Sequence, residues 1–308
     1  MWYALTSIDL SFFIVSLCLV LFCKNNNLHS KAGLVTSSLD GRLNFWSMSN
    51  LREPVESIQV PGGSVSCLAV APESESLIMG DDQGSLFTVT ASSTAAANNK
   101  KKTSLRRKQL RKLEVAAGTL DEANNNVSSN GHFGMVTSVA TRPRIQTNTG
   151  LAKGFCRGSA GLVLTTGVDW TTQLWAPAYK DTPLLSWTSH SYDSVSDVQW
   201  NPYNPGIFAT ASTNGTVGLW NLAQSLDESL TDGLTVSAAA ATTGGEEQEV
   251  EGLTKLAWSI PDGRRLAVAG GGGRVHVLTL ADEVVRPKGD EDARIVQQLV
   301  ARGFLSRP

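Results

Sequence analysis

Residues 211–220 read ASTNGTVGLW and residues 166–175 read TGVDWTTQLW. In each, a short apolar stretch runs into small or hydroxylated residues. A tight turn follows (Asn214-Gly215, Asp169-Trp170), and an alternating strand then closes on a tryptophan. Asn-Gly between two period-2 runs is a hairpin signal, because glycine takes the left-handed backbone that the turn demands. The same register recurs as SSLDGRLNFW (37–46), GDDQGSLFTV (80–89) and AGGGGRVHVL (269–278).

The turn positions Gly41, Gly84, Trp170, Gly215 and Gly273 are separated by 43, 86, 45 and 58 residues. A period near 43 is the spacing of four-stranded propeller blades. Each turn follows a short apolar strand. Most registers also carry an earlier strand, VSCLAV at 65–70, VTSVAT at 136–141, VSDVQW at 195–200 and LTKLAW at 253–258. The fold class expected is all-β, an incomplete propeller of four to five recognisable blades.

The longer intervals read as insertions. Residues 91–130 hold Ala/Asn/Ser runs and a basic cluster but no alternating strand, and 223–251 are rich in Ala, Thr, Gly and Glu. Neither offers enough apolar surface to order itself. First repeats at 33–90, a basic insertion at 91–130, further repeats at 131–287 (with the 223–251 insertion) and a helix and tail at 288–308 complete the division. In that tail Ile295, Val296 and Leu299 lie at helical spacing.

Residues 1–32 stand apart. The run 10–23, LSFFIVSLCLVLFC, covers about 21 Å as a helix, short of the roughly 30 Å hydrocarbon core. It has no basic residue before it. Three readings stay open: a membrane anchor, a buried strand or helix, or a start site displaced into non-coding sequence. The first repeat then lacks its own first strand.

Within the repeats His132, Thr165, Asp169 and Trp175 are spaced to form a hydrogen-bonded tetrad of loop, inner strand, turn and outer strand. His190, Thr210, Asn214 and Trp220 repeat it. Thr36, Asp40 and Trp46 repeat it without a histidine. An acceptor at the turn holds the imidazole, a hydroxyl bridges, and an indole N–H closes the chain. A His–Asp pair also orients general bases, but the pattern recurs blade after blade and no GxSxG elbow accompanies it, so the tetrads read as structural.

These turn–strand–Trp repeats with an upstream histidine resemble the WD-repeat β-propellers. More narrowly, 132–222 and 252–299 resemble the propeller of cytoplasmic dynein intermediate chains. The resemblance is carried by VDWTTQLW, by SHSYDSVSDVQWNPYNPGIFATASTNGTVGLWNL and by GLTKLAWSIPDGRRLAVAGG. It implies a non-catalytic scaffold without a cofactor that binds dynein heavy chain, in the cytoplasm and on microtubules. A ring of seven blades is the family expectation. Dynein light chains and dynactin would be partners only through a longer N-terminus. A WD-repeat adaptor of another complex, membrane-tethered through residues 1–23, is the alternative.

Other features weigh less. Lysines and arginines number 26 against 28 acids, and the formal charge of −2 argues against a surface devoted to nucleic acid. Eight cations fall within 100–112, where no aromatic interleaves for base stacking, and the run reads as a solvated loop. The four cysteines (18, 23, 67, 156) have no zinc spacing and read as free thiols. Gly270–Gly273 precede a strand, not a helix, so they make a hairpin and not a phosphate cradle. Trp170, where the four other registers have glycine, and Tyr192 and Tyr203 in connecting loops are the candidate partner contacts. Packing between blades is their alternative role.

Overall fold

The computed structural model describes residues 20–22, 33–47, 51–71, 76–92, 107–113, 131–143, 161–177, 179–189, 191–231, 233–236, 251–260, 262–289 and 291–304. They form five antiparallel sheets in chain order. The first is β1 (Val20–Phe22), β2 (Gly33–Ser37), β3 (Arg42–Ser47) and β4 (Glu56–Gln59). The second is β5 (Val65–Ala71), β6 (Ser76–Asp81), β7 (Leu86–Ser92) and β8 (Arg107–Leu113). The third is β9 (Val136–Thr141), β10 (Val163–Gly167), β11 (Thr171–Trp175) and β12 (Leu185–Thr188). The fourth is β13 (Val195–Trp200), β14 (Ile207–Ser212), β15 (Thr216–Asn221) and β16 (Leu234–Thr235). The fifth has three strands, β17 (Leu253–Trp258), β18 (Arg265–Gly270) and β19 (Val275–Thr279). Two helices follow, α1 (Asp282–Val285) and α2 (Glu291–Ala301). The architecture is all-β, that of an incomplete propeller of consecutive antiparallel sheets.

Three expectations are corrected. The apolar leader is not wholly separate from the repeats: Val20–Phe22 pair with Gly33–Val35, so the first sheet has a first strand after all. A strand needs only a few residues in register with a neighbour, and a uniformly apolar run conceals its period. The basic insertion also contributes, since Arg107–Leu113 pair along all of β7. An outer strand is covered on one edge only and tolerates charge, which also discourages pairing with other chains. In the segment after β15, Ala223, Leu226 and Val236 are buried and Leu234–Thr235 supply the fourth sheet's outer strand. Among the described residues no helix is long and apolar enough to cross a membrane.

The cores lie between consecutive sheets. Leu164, Leu174 and Trp187 of the third pack against Val198, Trp200 and Phe208 of the fourth. Ala209, Ala211, Val217 and Leu219 on the fourth sheet's far face pack against Leu256, Leu266 and Val268 of the fifth. Hydrogen bonds repeat across these seams. The Ser66 hydroxyl donates to the Val136 carbonyl at 2.6 Å and Thr137 to Val195 at 2.5 Å. At the other end of the inner strands, Trp200 Nε1 donates to Ala140 O and Trp258 Nε1 to Gln199 O, each at 3.2 Å. Ile295, Val296 and Leu299 of α2 are buried, Ile295 and Leu299 against the seam of the third and fourth sheets. Arg142, itself buried, holds the helix by an ion pair with Asp292 and donates from Nε to Pro205 O at 2.8 Å.

Candidate functional site

The connection entering β9 and the β10–β11 turn meet at one end of the third sheet. His132 lies in the first and Asp169 in the second. The imidazole Nδ1–H donates to Asp169 Oδ1 at 3.0 Å. That fixes the tautomer: Nε2 accepts from the Thr165 hydroxyl at 2.7 Å, and Thr165 Oγ1 accepts in turn from Trp175 Nε1 at 2.8 Å. Asp169 Oδ2 also accepts the Phe133 N–H at 2.9 Å, and Oδ1 the Thr171 hydroxyl at 2.9 Å. Burial alone would push the Asp169 carboxyl up. The bond from His132, with those from Phe133 and Thr171, outweighs it and holds Asp169 below the ordinary carboxylate range.

Gly167 makes room for this chain. A Cβ there would stand 2.6 Å from His132 Nδ1 and 2.5 Å from Asp169 Oδ1, closer than any side chain tolerates. The glycine is a requirement of the tetrad that the repeat pattern alone does not reveal. Chemically, the arrangement binds loop to sheet: the His132 side chain is fully buried, and Nε2, the atom a general base would offer, is committed to Thr165.

The other registers are only partly assembled. Trp46 Nε1 donates to Thr36 Oγ1 at 2.9 Å, whereas Asp40 serves its own turn, accepting from the Ser38 hydroxyl and the Arg42 N–H. In the fourth sheet Asn214 Nδ2 donates to Ser191 Oγ at 2.7 Å, and the buried Trp220 Nε1 meets no acceptor, Thr210 included, among the described residues. His190 lies outside the described residues.

Trp170 and Tyr192 meet at the same end as the His132 tetrad. Both hold left-handed backbone, at φ of 66° and 56°, and their rings pack edge to face with centroids 5.6 Å apart. Trp170 remains 44% exposed and Tyr192 66%, and Phe133, whose N–H is bound by Asp169, is 73% exposed. Left-handed φ in a bulky residue costs about 1–3 kcal/mol. An edge-to-face pair returns about 0.5–1.5 kcal/mol. The ring contact thus offsets only part of the strain unless the strain lies at the low end of its range. Tyr203 lies in the β13–β14 connection, at the opposite end of the strands, so the three candidates do not share a surface.

One residue that the sequence reading passed over is central. Asp197, 1% exposed on inner strand β13, accepts from Ser138 Oγ at 2.6 Å and from the Leu256 N–H at 2.9 Å, with Lys255 Nζ at 3.6 Å. One carboxylate thereby ties the third, fourth and fifth sheets. The signal was present, since an acid inside the apolar strand VSDVQW requires partners. Among the described residues no group of three or more His, Cys, Asp or Glu could hold a metal ion.

A family profile for the WD domain, G-beta repeat, matches residues 181–221, from before β12 to the end of β15. Cytoplasmic dynein 1 intermediate chain of Drosophila melanogaster is 27% identical over 268 residues, 85% of this chain and 33% of its own length. Dynein axonemal intermediate chain 2 of Mus musculus is 25% identical over 207 residues, 63% of this chain and 27% of its own. The chain resembles the WD-repeat portion of dynein intermediate chains. It spans a third or less of the length of these curated relatives. The cytoplasmic relative shares more of the chain than the axonemal one; the VDWTTQLW turn and its assembled tetrad precede the residues that the WD profile matches.

Proposed function

We propose that this chain is a non-catalytic scaffold subunit of a cytoplasmic dynein complex, and that it binds dynein heavy chain through its WD-repeat blades. The observation that carries the reading is the likeness to the cytoplasmic dynein 1 intermediate chain along most of the chain. The site chemistry agrees. The His–Asp constellation assembled among the described residues is spent on holding a loop, and Trp170 and Tyr192 beside it are exposed aromatics in left-handed backbone, suited to contact. On this proposal Phe133, Trp170 and Tyr192 form the gripping surface, the tetrads keep it rigid, and the protein works in the cytoplasm on microtubules without a cofactor. The test is affinity capture of the endogenously tagged protein from cytosol, read by mass spectrometry. Heavy chain at near-stoichiometric amounts supports the proposal; a soluble, folded protein that captures none refutes it.

A further inference from the structure

The five turn registers can be superposed residue by residue, and the position two beyond each turn residue is occupied by Leu43, Leu86, Thr172, Val217 and Val275. In the first four sheets this residue is directly opposite a large apolar residue of the outer strand: Leu43 faces Ile58, Leu86 faces Leu113, Thr172 faces Trp187 and Val217 faces Leu234. All four are covered, at 0%, 1%, 4% and 0% exposure. The fifth sheet departs from the rule. Among the described residues it has three strands, β19 is its edge, and Val275 is 65% exposed with Val277 at 60%. The difference is not one of local sequence. Ala267 and Ala269 on β18 repeat Ala209 and Ala211 of β14, and Val275 and Val277 repeat Val217 and Leu219, in both cases 58 residues on. The fifth sheet therefore presents the surface that is closed in the fourth.

We propose that β19 is a docking edge for an extended segment of a partner polypeptide, which adds as the fourth, antiparallel strand of the fifth sheet. The four complete sheets of this same chain define its chemistry: a large apolar residue opposite Val275, in alternation with polar ones. The residue opposite Arg274, which is exposed, would be acidic or amide-bearing, as Gln59 is opposite the equivalent Arg42. The backbone N–H and C=O groups on the free side of β19 supply affinity, and the apolar contact sets register. This inference does not rest on the dynein reading, because it follows from the repeat geometry alone.

The test uses the whole chain and two fluorescein-labelled peptides copying its own outer strands, residues 54–60 and 183–189, as probes. Polarisation should report saturable binding by both, and the amides of β19 should exchange about tenfold more slowly at saturation. Val275→Asp should weaken binding about tenfold or more. Val275→Thr, which keeps a β-branched residue, should weaken it less, and both variants should melt with the parent because the site is exposed. Absence of saturable binding up to about 1 mM overturns the proposal, as does binding that survives Val275→Asp. Concentration-dependent self-association abolished by Val275→Asp would also overturn it, by making a second copy the occupant.

Discussion

Thr165→Val is a demanding test of the tetrad, because it deletes one hydroxyl and changes little else in shape. That hydroxyl donates to His132 Nε2 and accepts from Trp175 Nε1. Both partners are buried, Trp175 at 1% exposure and the His132 side chain at 0%. Neither can turn to water once the oxygen is gone. A stranded buried donor or acceptor costs about 1–3 kcal/mol, so the two together cost about 2–6 kcal/mol. The added methyl returns about 0.8 kcal/mol at best. The net expectation is about 1–5 kcal/mol. Thr210→Val makes the same chemical change at the equivalent place in the fourth sheet. There the Trp220 indole meets no acceptor among the described residues, so the loss should stay below about 1 kcal/mol.

Equilibrium urea unfolding of the parent and both variants measures the difference. Far-ultraviolet circular dichroism and tryptophan fluorescence should be followed together, since stacked sheets can unfold in more than one step. The shift should appear in the midpoint with an unchanged slope. Equal losses at Thr165 and Thr210 would refute the reasoning. They would mean either that the third-sheet bonds are worth no more than a buried methyl, or that His190 closes a second chain through Thr210.

Four further outcomes follow from the same geometry. Asp169 has a folded pKa below that of an unfolded aspartate, about 3.9, so its contribution is complete above that value and is lost as pH falls through the folded one; the destabilisation caused by Asp169→Asn should thus shrink below about pH 4 in acid titrations of stability. Asp197→Ala leaves Ser138 and the Leu256 N–H without their acceptor at the seams of three sheets and should cost about 3 kcal/mol in urea unfolding. Trp170→Gly relieves a left-handed φ but loses the Tyr192 contact, so stability should stay within about 1 kcal/mol while heavy-chain capture falls; Tyr203→Ala, at the opposite end, should leave capture unchanged. Leu299→Ala on α2 opens a cavity in the seam of the third and fourth sheets and should cost about 2–5 kcal/mol by thermal or urea unfolding.

The middle of each blade was legible because its demands are local. A hairpin needs left-handed backbone at its turn, so Gly41, Gly84, Gly215 and Gly273 stand where φ is 76°, 83°, 81° and 84°. The strands β6, β10 and β14, which run into three of the turns, are buried on both faces and must be largely apolar. The inner and outer strands carry weaker signals. RKQLRKL is held along β7 and its Leu113 is buried, but four cations in seven residues left no apolar alternation to read. VLF lay inside a longer apolar run whose period could not be read. The tetrad residues His132, Thr165, Asp169 and Trp175 were recoverable from spacing, whereas Gly167 was not, because its constraint is a close approach from a residue 35 positions away.

The two ends of the strands have different tasks, and the location of polar bonds separates them. At the end holding the β13–β14 connection, Asn201 Oδ1 accepts the Tyr203 and Asn204 N–H groups, and Asn201 Nδ2 donates to Gly263 O. Arg142 and α2 close the same end. The polar groups there are turned inward, onto the chain itself. At the other end the tetrad consumes its polar atoms below the surface and leaves Phe133, Trp170 and Tyr192 uppermost, two of them in backbone that glycine would occupy with less strain. Left-handed backbone in exposed aromatics on such a rim is what the proposed contact role would use. Under the proposed function the gripping surface is expected at the His132 end, with the α2 end serving to keep the sheets in register.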